Sequence, residues 1–123
     1  MPKSGATGLS RIINAFGYSM KGISAALKYE SAFRQEAALF IIMLPMAFFL
    51  GRTYLEYILL VGSLLIVLMV ELLNSAIEAV VDHVSPEIAE LAGRAKDMGS
   101  AAVFITLANV FLVWGFIAFD RFV

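Results

Sequence analysis

Five polar residues, Glu71, Asn74, Ser75, Glu78 and Asp82, recur at i, i+3, i+4, i+7 and i+11. At about 3.6 residues per turn this spacing puts all five on one face of a helix. Glu71 stands between Val70 and Leu72, inside an apolar run, and a carboxylate at membrane depth is costly enough to be read first as functional. No Lys or Arg occurs at its depth within the apolar stretches, so ion pairing gives no account of it, whereas a protonatable or metal-binding role does. Glu78 and Asp82 follow toward the aqueous end of the same helix. Two or three carboxylates converging there make an oxygen-only site of the kind Mg²⁺ takes, with several waters retained and substrate phosphates bridged. Glu30 offers a further carboxylate from a second element at a similar depth. A third element contributes Arg94 and Lys96, followed by Asp97 as a helix N-cap and the small residues Gly99 and Ser100. Cations beside a helix N-terminus suit an anion, although no G-x-x-x-x-G-K-[ST] phosphate loop occurs in the chain. His83 is the only histidine and there is no cysteine, so a histidine or thiolate metal site and a Cys nucleophile are both excluded.

Such residues need elements to hold them, and composition says which kind. The chain has 123 residues, 61% hydrophobic and 15% charged, against roughly 45–50% and about 25% for soluble domains. That is one domain, residues 1–123, of an integral membrane protein; the net charge of −1 excludes the basic footprint of a nucleic-acid binder. Residues 98–119 carry no charge and are long enough to cross a hydrocarbon core that takes about 20 residues of helix. The apolar run 57–70 continues through the acidic face to Val81, predicting a helix over about 55–82. The run 37–50 becomes a span if its helix starts near Phe33, with Gly51, Arg52 and Thr53 turning the chain into the next.

The first 30 residues differ. Leu9, Ile12, Ile13, Phe16, Met20, Ile23 and Leu27 fall at helical three-and-four spacing, with Arg11, Asn14, Lys21 and Lys28 elsewhere on the wheel. This predicts a basic amphipathic helix over about 8–30, lying on the membrane surface. It lacks the continuous apolar core of a signal peptide. Lys3, Arg11, Lys21, Lys28, Arg34, Arg94 and Lys96 fall on one side of a three-span chain, and Arg52 and Arg121 on the other. The positive-inside rule then puts the N terminus in the cytoplasm and the C terminus outside. Trp114, Phe116 and Phe119 read as an interfacial aromatic belt, and Gly62, Ser63, Gly99 and Ala102 as positions of close helix packing.

The string Val70-Glu71-Leu72-Leu73-Asn74-Ser75-Ala76-Ile77-Glu78-Ala79-Val80-Val81-Asp82, with Gly93-Arg94-Ala95-Lys96-Asp97-Met98-Gly99-Ser100 downstream, resembles the bacterial integral-membrane diacylglycerol kinase family. Arg11-Ile12-Ile13, Gly17-Tyr18-Ser19, Lys21-Gly22 and the segment from Glu30 to Glu36 fit the same pattern, so the resemblance runs from about Leu9 to Val103. It implies an all-α integral membrane fold, a surface helix plus three transmembrane helices, assembled as a homotrimer with active sites shared between subunits. It implies transfer of the γ-phosphoryl of MgATP to the hydroxyl of diacylglycerol in the bacterial inner membrane. Carried over by motif, Glu71 matches the general base, Asn74 and Asp82 supporting positions, and Glu30 and Glu78 the ligands of the divalent metal. Arg11, Tyr18, Glu30, Glu78, Glu87, Lys96 and Asp97 match nucleotide contacts. Arg11, Arg34, Gln35, Glu36, Glu71 and Ser100 match positions at the lipid. A sister branch of the fold phosphorylates undecaprenol, but Gly93-Arg94 and Gly99-Ser100 look more like the diacylglycerol branch. From other classes, a proton or cation transporter built around Glu71 and a non-enzymatic membrane scaffold remain open.

Overall fold

A computed structural model describes residues 7–84 and 89–123, all helix apart from short connections. Four helices follow in order: α1 (Gly8–Tyr29), α2 (Ser31–Leu50), α3 (Tyr54–Val84) and α4 (Ala89–Phe122). Helices α2, α3 and α4 are each long and apolar enough to cross a membrane. The expected architecture, a surface helix followed by three spans, is the one observed.

The apolar stripe of α1 from Leu9 to Leu27 is exposed, and only Ala26 is buried against the rest of the chain. In water such a stripe would be a liability; at a bilayer surface it is the buried face. Glu30 breaks the helix in an extended conformation, its N–H donating to the Ala26 carbonyl at 2.9 Å. The next helix begins at once. Arg34 reaches back from it, its Nη1 donating to the carbonyls of Leu27 at 3.0 Å and Lys28 at 3.1 Å, which satisfies the last turn of α1.

At the opposite end α2 closes through Gly51, whose N–H donates to the Ala47 carbonyl at 2.9 Å. A Cβ at Gly51 would stand 2.6 and 2.7 Å from two carbons of the Tyr57 ring, so this turn has no room for a side chain. Thr53 caps α3, its hydroxyl accepting from the Glu56 N–H at 3.2 Å, while the Glu56 carboxylate accepts from the Arg52 N–H at 2.8 Å. The Arg52 guanidinium also bridges Glu56 at 3.4 Å and Asp120 at 2.6 Å, tying the turn to the end of α4. Hydrogen bonding to Glu56, and then to Asp120, holds the Arg52 pKa above its ordinary value.

Helices α3 and α4 form the most extensive pair. The buried positions of α3 are Leu60, Ser63, Leu64, Val67, Glu71 and Asn74, one continuous stripe at helical spacing. Its apolar end forms a core with Ala47, Leu50 and Ile117, flanked by Val113, Trp114 and Ala118. Trp114 is turned inward: its indole N–H donates to the Ser63 hydroxyl at 3.2 Å, and that hydroxyl donates to the Leu60 carbonyl at 2.8 Å. It therefore ties α3 to α4 and is not part of an interfacial belt. Gly62 meets nothing within 4 Å and Ala102 is exposed, because each lies off the packing stripe; Ser63 and Gly99 are the positions of close approach.

The start of α4 differs from the sequence expectation. The helix begins at Ala89 and not near Met98, so Asp97 lies in its interior and is no N-cap. Arg94 and Lys96 accordingly stand on a helical surface, and among the described residues no helix N-terminus presents backbone N–H groups beside them. Residues 89–97 are rich in Ala, Glu, Leu, Arg and Lys, which continue a helix at little cost. At 1.5 Å per residue, α3 and α4 extend about 46 and 51 Å, well beyond a hydrocarbon core of about 30 Å.

Candidate active site

The stripe that is apolar at one end of α3 becomes polar at the other, without leaving the packing face. Glu71 is 5% exposed and Asn74 9% exposed; Ser75 and Glu78 are half-buried and Asp82 is exposed. The gradient from buried to open follows the helix toward the α1 side. It places one carboxylate in apolar surroundings and the others where water and ions reach them.

Two side chains from neighbouring helices complete this face. From α2, the half-buried Glu36 carboxyl neighbours that of Glu71. From α4, the Lys96 ammonium pairs with Asp82, Nζ to Oδ1, at 2.6 Å. Arg94 turns along its own helix to Glu90 at 3.8 Å and stays exposed. Asp97 and Ser100 are exposed on α4.

Between α1 and α3 lies a cavity of about 670 Å³, lined among others by Ser19, Tyr29, Glu30, Leu72, Ser75 and Ala79. Its size is that of a pocket for a small molecule. Glu30 enters it from the corner between α1 and α2, opposite the Ser75 and Ala79 positions of the acidic helix. The two expected metal ligands thus come from different elements, with Glu30 half-buried like Glu78. Among the described residues no group of three metal-ligating side chains is found, and the cavity is lined by Glu30 but not by Glu78. Carboxylate oxygens are the ligand type Mg²⁺ takes, through one or two carboxylates with substrate phosphates.

The remaining expected residues are dispersed. Tyr18 is half-buried on α1, and Arg11 is exposed near its start. Nineteen residues of helix separate Arg11 from Glu30, roughly 28 Å along the axis, so one chain does not bring Arg11 to the carboxylates. Arg34 is engaged in capping α1, and Gln35 beside it is exposed. Glu87 lies outside the described residues. Two features at the site have no sequence signal of their own, the Glu36–Glu71 contact and the closeness of Gly99 to Asn74. Both depend on how three helices cross. The Oε1 of Glu36 and the Oδ1 of Asn74 are buried without a hydrogen-bond partner among the described groups, two orphaned acceptors at one level. Native interiors rarely leave such atoms unpaired.

Known proteins give the same direction. Residues 17–118 match the family model described as prokaryotic diacylglycerol kinase. The chain is 53% identical over 113 residues to a diacylglycerol kinase of Haemophilus influenzae, covering 92% of this chain and 96% of that protein. It is 47% identical over 116 residues to the diacylglycerol kinase of Escherichia coli K12, covering 94% and 95%. With that of Pseudomonas aeruginosa it shares 50% identity over 113 residues, 92% of each chain. A family match of this extent, joined to three apolar helices and a buried acidic stripe, leads to one conclusion: the chain belongs to the prokaryotic diacylglycerol kinase family.

Proposed function

We propose that this protein is an ATP-dependent lipid kinase that phosphorylates diacylglycerol, giving phosphatidic acid and ADP. The observation that carries the reading is the graded acidic stripe on α3, with a carboxylate at bilayer depth and cationic Lys96 alongside its aqueous end. A diacylglycerol hydroxyl resides near the membrane surface and reaches Glu71 from the lipid side. ATP is soluble and approaches from the other.

The transfer is balanced simply. Glu71 takes the hydroxyl proton as general base while the lipid oxygen forms a bond to the γ-phosphorus and the bond to the β-phosphate oxygen breaks, releasing ADP. Lys96 meets the phosphates, with Asp82 orienting it, and Asn74 hydrogen-bonds at the level between base and phosphate. Phosphoryl transfer asks a protein chiefly for positioning and charge neutralisation, and these side chains supply both. Glu30 and Glu78 would hold Mg²⁺, which when bound would neutralise charge on the phosphate oxygens. Tyr18, Glu87 and Asp97 contact the nucleotide, Arg11 serves nucleotide and lipid, and Arg34, Gln35, Glu36 and Ser100 border the lipid.

The working form is a homotrimer whose sites are shared between subunits. The separation of Arg11 from Glu30 within one chain and the two orphaned acceptors support this. The excess of Lys and Arg around α1 and the start of α4 supports a cytoplasmic N terminus and an external C terminus in the bacterial inner membrane.

The test is phosphate transfer from labelled ATP with Mg²⁺ in mixed micelles offering diacylglycerol and undecaprenol side by side. Label is expected in phosphatidic acid. Label on undecaprenol alone would keep the chemistry and change the substrate. No label on either lipid from the assembled protein would overturn the kinase reading, and ion flux in liposomes without ATP would then identify a transporter.

A further inference from the structure

Gly99 is the only glycine of α4 fitted against a side chain. Gly93 and Gly115 meet nothing within 4 Å, whereas a Cβ on Gly99 would overlap the Oδ1 of Asn74 and stand 3.2 Å from its carboxamide carbon. Backbone conformation does not call for glycine here, since Gly99 lies within a regular helix and none of the helical glycines after Gly8 has a positive φ. Glycine inside a helix is a destabilising choice relative to alanine. Its compensation lies across the helix crossing, where it makes room for a carboxamide.

That carboxamide is poorly placed if packing alone is considered. Asn74 is 9% exposed, and its Oδ1 is buried with no donor to satisfy it. An apolar side chain would fill the crossing without leaving an orphaned acceptor. What the arrangement achieves is a fixed orientation: with Oδ1 lodged against the Gly99 backbone, rotation of the amide plane is blocked and Nδ2 remains as the donor. Asn74 lies about one turn from Glu71 and one turn from Glu78 on the same face.

We propose that Gly99 is a positioning residue for phosphoryl transfer: its missing side chain seats the Asn74 carboxamide, so that Nδ2 donates to the transferred phosphoryl between Glu71 and Glu78. This rests on the kinase reading and on Asn74 belonging to its site. Gly99 itself touches no substrate.

The test uses the full-length protein in diacylglycerol mixed micelles, with oligomeric state recorded for every variant. Gly99→Ala should lower kcat by ~100-fold, the scale of a group misplaced by about 1 Å, and leave the KM for ATP within about twofold of its original value. Gly115→Ala, on the same helix but facing open space, should behave as wild type. Added to Asn74→Ala, Gly99→Ala should cost nothing more, because the two act as one unit. A Gly99→Ala enzyme with wild-type kcat, or one whose loss is the same in the Asn74→Ala background, overturns the proposal. Should Gly99→Ala fail to assemble, Gly99→Ala combined with Asn74→Ser decides. The shorter serine vacates the space, so the pair should assemble with the kcat of Asn74→Ser alone, and a pair that still fails to assemble overturns the proposal. Full kcat in Asn74→Ala removes the role of Asn74, and the proposal with it, while wild-type labelling of diacylglycerol leaves the kinase reading standing. A wild-type protein that labels no lipid has the converse meaning, and the assembly comparison still tests the contact.

Discussion

Replacing Asp82 with Asn leaves Lys96 charged but removes the carboxylate that holds it at 2.6 Å. The two side chains are 65% and 43% exposed, so the pair adds little to stability, as surface ion pairs do. Asp82→Asn should therefore melt and assemble like wild type. Its effect on nucleotide binding should be larger than its effect on stability. Freed from its partner, Lys96 must be immobilised when ATP binds, so KM for ATP should rise roughly 2- to 12-fold. Lys96→Gln removes the charged donor itself and should raise the KM roughly 10- to 150-fold. Initial rates against ATP at saturating diacylglycerol measure both, with a thermal melt of each variant in the same detergent. A larger KM increase for Asp82→Asn than for Lys96→Gln would refute the reasoning, since Asp82 would then act on nucleotide or metal directly and not through the lysine.

Glu78→Gln should raise the Mg²⁺ concentration for half-maximal transfer at least ~10-fold, read from a metal titration at fixed ATP; an unchanged titration would remove Glu78 from the metal site. Gly51→Ala forces a methyl toward a ring 2.6 Å away and should cost about 1–3 kcal/mol of stability, while kcat per assembled protein is retained. An unaltered melting profile would contradict the tight turn. Trp114→Phe loses the hydrogen bond to Ser63 and should destabilise by ~0.6 kcal/mol, a typical interhelical polar contact in a membrane, and by no more when combined with Ser63→Ala.

The membrane architecture was legible because its causes are local. A 22-residue uncharged run, a seven-residue apolar stripe and the positions of Gly51 and Thr53 each follow from periodicity or turn chemistry within one segment. The acidic face was equally legible, since five residues at helical spacing must share a side wherever that helix packs. Contacts between helices were not. Glu36 and Glu71 are 35 residues apart in sequence, and only the crossing of α2 and α3 brings them together. The Arg52–Asp120 pair depends on antiparallel helices ending at the same depth. Asp97 was misread for a different reason. Its position before a small-residue stretch imitates an N-cap, but the helix-forming residues from Ala89 onward carry α4 through it. Trp114 was misread because an indole near a membrane interface suits a belt as well as a buried hydrogen bond, and the choice was made by Ser63 on another helix.

Glu71 is the centre of this account, and its role is tested most directly by measuring nucleotide binding and phosphate transfer on the same preparation of Glu71→Gln. Glutamine keeps the size and polarity of the side chain and removes its ability to take a proton. Assembled Glu71→Gln protein should bind MgATP as wild type does and transfer phosphate to diacylglycerol at a rate lower by ~10²–10⁴-fold. Transfer within about threefold of wild type, with binding equally intact, would contradict it.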